Sequence, residues 1–318
     1  MRILLGLLFL LTVTSCYGFN KLDVKLTVVD ENDVAIPNAN TRIIFHDLRE
    51  RALAKGITNA EGMVSAQGET YIELEVSAEK EGYYKSQLKL DTRKENDAGK
   101  LVVSDQDIKL VLRKKNNPIP LYAKTFSGKL PILNKEVGFD FSKSDWVKPY
   151  GQGDVKDLIL FVEKKFESAD DYYAKLNLIF PQDGEGITTF KSEVEYSELT
   201  SPYHASINAN YLENKKLITG KEPNRGYINS PYEDYIFRVR VLKNEEDEII
   251  EANYGKILGG IKVFVGFNDN PPGIKFTYYF NPEVNDTNLE FDPKRNLFTN
   301  LKNEELVTLL KNFTSETR

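Results

Sequence analysis

The stretch Leu22-Asp23-Val24-Lys25-Leu26-Thr27-Val28 places an apolar side chain at every second residue. That period of two puts one face of an extended strand in a core and the other in water, whereas a helix would need apolar residues three and four apart. The same alternation returns in Ile72-Glu73-Leu74-Glu75-Val76-Ser77-Ala78 and in Ile108-Lys109-Leu110-Val111-Leu112, and a shorter apolar run reads Ile43-Ile44-Phe45. Turn formers separate these runs: Asp30-Glu31-Asn32-Asp33, Pro37-Asn38-Ala39-Asn40, Gly56-Ile57-Thr58-Asn59-Ala60-Glu61-Gly62 and Glu81-Gly82-Tyr83-Tyr84. Short alternating strands punctuated in this way predict an antiparallel β-sandwich over residues 20–115. The composition agrees, with 18 Phe and 17 Tyr but only 2 Met in 318 residues, since aromatic side chains suit sheets better than helices.

Beyond it, Arg113-Lys114-Lys115-Asn116-Asn117-Pro118-Ile119-Pro120 is a charge run leading into two prolines, which favour extended chain. A linker is expected over 116–124. Strand candidates follow at 158–162, 174–180, 235–241, 261–265 and 274–280, between turn clusters such as Pro181-Gln182-Asp183-Gly184 and Asn268-Asp269-Asn270-Pro271. They predict a second, larger β-sandwich or jelly-roll-like domain over 125–318. Near the end, Asn303 stands where it would cap a helix of Glu304-Glu305-Leu306-Val307-Thr308-Leu309-Leu310-Lys311, with acids first and a lysine last. The expected fold class is all-β: two β-sandwich domains with a short C-terminal helix.

The first domain resembles the carboxypeptidase regulatory-like domain, a transthyretin-like (prealbumin-type) β-sandwich. The resemblance rests on the Asp30 turn, Pro37-Asn38-Ala39, Gly56-x-Thr58-Asn59-x-x-Gly62 and Glu81-Gly82-Tyr83-Tyr84. The family pattern has glycine near Asp33 and at Asn38, and aspartate at Asn59. These are turn residues, so the resemblance implies a fold and no chemistry. In that family the module is an accessory stalk or binding element.

The N-terminus carries Arg2 and then an apolar run from Ile3 to Val13, too short for a bilayer span of about 20 residues and of the length of a secretory signal. Val13-Thr14-Ser15-Cys16 is similar to the lipobox of bacterial lipoproteins. In that family the cysteine thiol receives a diacylglyceryl group and cleavage leaves it as the first residue. Residues 1–15 are therefore expected to be a signal peptide and Cys16 a lipidation site, with the protein anchored by lipid to a bacterial membrane in the cell envelope. The competing reading is an ordinary signal cut after Gly18. Cys16 is the only cysteine, so the expected mature chain has no disulfide. A formal net charge of −6 speaks against a nucleic-acid partner, which calls for a basic face.

Recognised chemistry is absent from the sequence. His46 and His204 are the only histidines, and neither stands in a zinc-ligand spacing. There is no Gly-x-Ser-x-Gly elbow and no phosphate-cradling loop; no metal or cofactor is expected. The remaining candidate is a ligand platform at Trp146, the only tryptophan, beside Asp145 and Tyr150. Asp183-Gly184-Glu185 and Asn268-Asp269-Asn270 offer oxygen ligands without the spacing of a calcium loop. The expectation is a non-enzymatic envelope lipoprotein, a binding or structural module for a glycan or an envelope protein. The alternative is a secreted carbohydrate-active enzyme using a carboxylate pair in the C-terminal domain.

Overall fold

The computed structural model describes residues 20–46, 51–70, 72–266 and 270–310. The expected signal peptide, Cys16 and most of the 268–270 loop lie outside them. The chain divides into two compact units with the break after Leu112, and the tripeptide Gly82–Tyr84 belongs to the second.

The first unit holds β1 (Asn20–Val29), β2 (Asn40–His46), β3 (Arg51–Ile57), β4 (Met63–Thr70), β5 (Glu73–Glu79), β6 (Ser86–Asp91), β7 (Arg93–Glu95), β8 (Leu101–Val103) and β9 (Gln106–Val111). Two sheets, ordered β4-β1-β9 and β3-β2-β5-β6, make a sandwich, and β7 and β8 form a small hairpin. The alternation read from the sequence is the alternation of burial: Leu22, Val24, Leu26 and Val28 are buried while Lys21, Asp23 and Lys25 are exposed. Gly68 on β4 marks where the sheets meet, because a Cβ there would lie 2.5 Å from the ring of Phe45 on β2. The pairing is not wholly antiparallel as expected; β9 runs parallel to β1.

The turn residues Asp33, Asn38 and Asn59 each meet a specific local backbone demand. Asp33 and Asn38 sit at φ 63° and 56°, the left-handed region that glycine enters freely and Asn or Asp tolerate better than other side chains. Asn59 accepts hydrogen bonds from the amides of Glu61 (3.2 Å) and Met63 (2.8 Å), as an aspartate would. Thr58, buried, donates to the carbonyl of Ile36 at 2.7 Å and accepts from the amide of Ala39 at 2.8 Å, clasping the Pro37 turn.

The second unit holds β10 (Tyr122–Lys129), β11 (Val137–Asp140), β12 (Asp145–Trp146), β13 (Leu158–Ser168), β14 (Asp171–Ile179), β15 (Gly186–Phe190), β16 (Asn214–Glu222), β17 (Gly226–Asn229), β18 (Asp234–Lys243), β19 (Ile249–Phe264) and β20 (Gly273–Phe280). A five-stranded sheet, β10-β20-β19-β18-β15, and a six-stranded sheet, β12-β11-β13-β14-β16-β17, enclose one core. Phe139, Leu160 and Leu176 enter it from the larger sheet, and Phe237, Ile257 and Tyr278 from the smaller.

Two expectations are corrected here. The stretch 116–124 is no linker: Leu121 and Ala123 are buried, Ile119 donates its amide to Glu290, and β10 begins at Tyr122. The C-terminal helix does not form over the described residues; only one 3₁₀ turn, Asn303–Glu305, is present. Eight residues lie below the length of about 12–15 at which a helix sustains itself. The chain instead runs extended from Leu306, so that Glu305, Val307 and Leu309 turn inward while Leu306 and Thr308 face out. Val307 and Leu309 pack on Leu121, Tyr279 and Phe291, and Glu305 pairs with Lys124 at 2.8 Å.

The Thr58 clasp predicts that Thr58→Val, which preserves shape and removes both hydrogen bonds, lowers stability by about 1–3 kcal/mol. Urea unfolding followed by tyrosine fluorescence measures it; a loss below about 0.5 kcal/mol would show that the clasp is dispensable.

Candidate functional site

The platform expected at Trp146 is not exposed. Its indole is 7% accessible and packs edge-on against Phe126 (5.3 Å between centroids) and Phe139 (5.4 Å) inside the sandwich. Asp145 is turned onto the backbone, accepting from the amides of Trp146 and Gln152 at 2.8 Å each. Tyr150 is exposed. A large aromatic at a sheet edge gains more from burial than from display, and the loop acids serve the turn.

The deeply buried carboxylates near this corner are spent within the fold. Asp157 receives the guanidinium of Arg240 through two bonds of 2.8 and 2.9 Å and the amide of Phe141 at 2.9 Å. Asp140 accepts from the amides of Ser142, Lys143, Asp154 and Val155. Glu185 accepts from the amides of Gln182 and Arg240, while the exposed Asp183 pairs with Lys243. These contacts tie β18 to the β11–β12 corner and to the 181–185 turn. Among the described residues no group of three or more His, Cys, Asp or Glu is arranged to hold a metal, and no helix is long and apolar enough to cross a membrane.

A different site lies on the outer face of the five-stranded sheet. On β19, Ile257 points into the inter-sheet core, so its neighbour Lys256 points outward with Tyr254 and Leu258. It stands opposite Ile236 of β18 and Tyr279 of β20. In an ordinary sandwich this face is wet. Here it is covered by two segments that pair with each other: the Leu289 amide donates to Tyr203 and the Ala205 amide to Thr287, both at 2.8 Å. Arg113 anchors the cover by donating to the carbonyls of Leu199 (2.9 Å) and Ser201 (2.6 Å), with its guanidinium 4.4 Å from the Tyr203 ring.

Lys256 is consequently 2% accessible. Its Nζ donates to Ser201 Oγ at 2.9 Å and to the Leu289 carbonyl at 2.7 Å, and lies 4.8 Å from the centre of the Tyr279 ring. Burial, reinforced by the Arg113 charge, lowers its pKa from 10.5 to about 7 against the weaker opposing pull of Glu290 and Asp234. Glu290, also buried, accepts from the Tyr84 hydroxyl at 2.9 Å and from the amides of Asn116 (3.0 Å) and Asn117 (2.9 Å). Burial, with Glu290 beside it, pushes the Tyr84 hydroxyl well above the usual tyrosine range.

A cavity of about 370 Å³ opens beside this lysine, walled by Tyr84, Tyr279, Phe291, Glu198 and Lys294. A smaller one of about 280 Å³ lies beyond Leu258 and Tyr279, lined by Thr200, Lys262 and Lys275. Aromatic faces, one buried amine and a few polar groups at the mouth are the equipment of a small-ligand site. Little in the sequence announces it: Lys256 reads locally as a routine outward residue. The only hint was the length of the connections at 191–213 and 281–310, far longer than hairpins need.

No protein-family model matches the chain, and no curated protein matches it. Solved structures similar to it include 3-chlorocatechol 1,2-dioxygenase from Rhodococcus opacus 1CP, at 13% identity over 31% of this chain and 61% of that one, with a TM-score of 0.25. BcpA, the major pilin subunit of Bacillus cereus, matches at 12% identity over 80% of this chain and 95% of its own, TM-score 0.24. A proposed carbohydrate-binding protein from Bacteroides uniformis matches at 10% identity over 83% and 98%, TM-score 0.20. The chain spans only 53–61% of the length of the catechol dioxygenases it matches.

The lysine has a signature in stability. Unfolding returns its pKa from about 7 to 10.5, so between these values the unfolded chain binds more protons and stability rises with pH. The slope approaches about 1.4 kcal/mol per pH unit. The urea midpoint is expected to climb from pH 7 to 9.5 in the natural chain and to stay flat in Lys256→Met. A climb of equal size in both would show that Lys256 is not its source.

Proposed function

We propose that the protein is a non-catalytic binding module of the cell envelope, tethered to a membrane by a lipid on Cys16, whose second unit takes a glycan in the cavity beside Lys256. That cavity carries the reading. Tyr84, Tyr279 and Phe291 supply apolar planes for a sugar ring, and Glu198, Asp292 and Lys294 supply groups to meet its hydroxyls. A volume of about 370 Å³ suits one or two rings, so a chain end fits better than a long polymer. The first unit, with the turns of a regulatory-like domain, is an accessory module lying between the lipid and the binding unit in chain order.

Two experiments test this. On a glycan array the full chain is expected to retain a defined set of sugars, and Glu198→Ala with Lys294→Ala, both at the cavity mouth, to weaken retention at least tenfold. An empty array, or retention indifferent to the double substitution, overturns the glycan reading. Separately, Cys16→Ala is expected to move the protein out of the membrane fraction or to leave it unprocessed; unchanged membrane fractionation removes the tether.

A further inference from the structure

The charge around the cavity narrows the ligand further, and this step rests on the glycan reading above. Both hydrogen bonds of the Lys256 amine go to uncharged oxygens, Ser201 Oγ and the Leu289 carbonyl. The buried carboxylate nearby, Glu290, is turned to the Tyr84 hydroxyl and the amides of Asn116 and Asn117. Arg113 adds a second buried cation on the cover side, and Tyr279 presents only its ring from β20. Asp234, on β18, gives its Oδ1 to the Gly259 amide at 2.5 Å. A buried ammonium with no adjoining anion is costly, and an anion brought to it from outside removes that cost.

We propose that the cavity is a site for a ring-bearing carboxylate, an acidic sugar of the uronic type, whose carboxylate lies against Lys256 while its ring packs on Tyr279 and Phe291. Lys115 and Lys294 stand at the wall and draw an anion in. Of the two wall carboxylates, Asp292 is bonded to Arg295 at 2.6 Å and to the Lys294 amide at 3.0 Å. Binding is linked to a proton. In the empty site the amine is largely neutral above pH 7, and the arriving carboxylate restores the ammonium, so one proton enters with the ligand.

The test is calorimetric titration of the full chain with D-glucuronate and with D-glucose, which differs by the loss of the charge. It is run at pH 6.5 and 8.5 in two buffers of different ionisation heat. Glucuronate is expected to bind at least tenfold more tightly than glucose, to weaken about tenfold from pH 6.5 to 8.5, and to take up close to one proton at pH 8.5. Lys256→Met is expected to abolish the preference. Glucose binding as well as glucuronate overturns this inference and leaves the glycan reading standing, whereas an empty glycan array removes both. Glucuronate binding without proton uptake at pH 8.5 also overturns it, and that measurement needs no variant should Lys256→Met fail to fold.

Discussion

The second unit is organised by a strand buried on both faces. From Ala252 to Ile257 every residue of β19 is buried. Ile257 and Ile261 fill the core between the sheets, while Tyr254, Lys256 and Leu258 are enclosed beneath the cover. A covered sheet face obliges the covering chain to find partners for its own amides and carbonyls, because water no longer reaches them. Much of the polar apparatus of this unit answers that need. Asn281 donates to the carbonyls of Asp286 and Asn288, Asn288 donates to Asn117, and the Asn288 side chain in turn accepts from the Glu290 amide. Ile119 exchanges hydrogen bonds with Glu290 and Asp292. The asparagines at 281 and 288 are thus splices between stretches of irregular chain.

The same unit buries charge in two different ways. Arg240 and Asp157 meet in a bidentate pair, with Ser142 Oγ and the Phe141 amide completing it. Such a pair engages both charges with each other, although burial still outweighs the Arg240 contacts and raises the Asp157 carboxyl above its usual range. Lys256 is held by neutral oxygens and an aromatic ring beside an open cavity. Its cost is not cancelled, and the fold retains it under a cover that leaves a hollow alongside.

Legibility in the sequence followed wetness. In the first unit β1 and β5, with one dry and one wet face, show the alternation in sequence, whereas β3 and β4, poor in large apolar residues, do not stand out. Nor does β19: with both faces dry the alternation vanishes, and only its last third, 261–265, was visible as a strand. Trp146 and the C-terminal segment were misread for related reasons. Loop acids around a tryptophan look like a sugar platform, but the indole had an aromatic cluster to join. The Leu306, Leu309 and Leu310 spacing looks helical, but Leu121, Tyr279 and Phe291 rewarded an extended strap. In each case a tertiary surface, invisible to local pattern, outweighed a local preference.

The turns of the first unit show the opposite case, in which local pattern is enough even when residues change. Asn38 adopts a left-handed backbone that glycine would also allow, and Asn59 places its oxygen on the Met63 amide as an aspartate would. The requirement is a backbone angle or one acceptor, and several side chains satisfy each. The Lys256 site has no such short-range specification. It exists because two connections distant in sequence, around Ser201 and Leu289, close over one outward residue. The first unit's turns are thus specified locally, whereas the surroundings of Lys256 depend on how the covering loops are spliced.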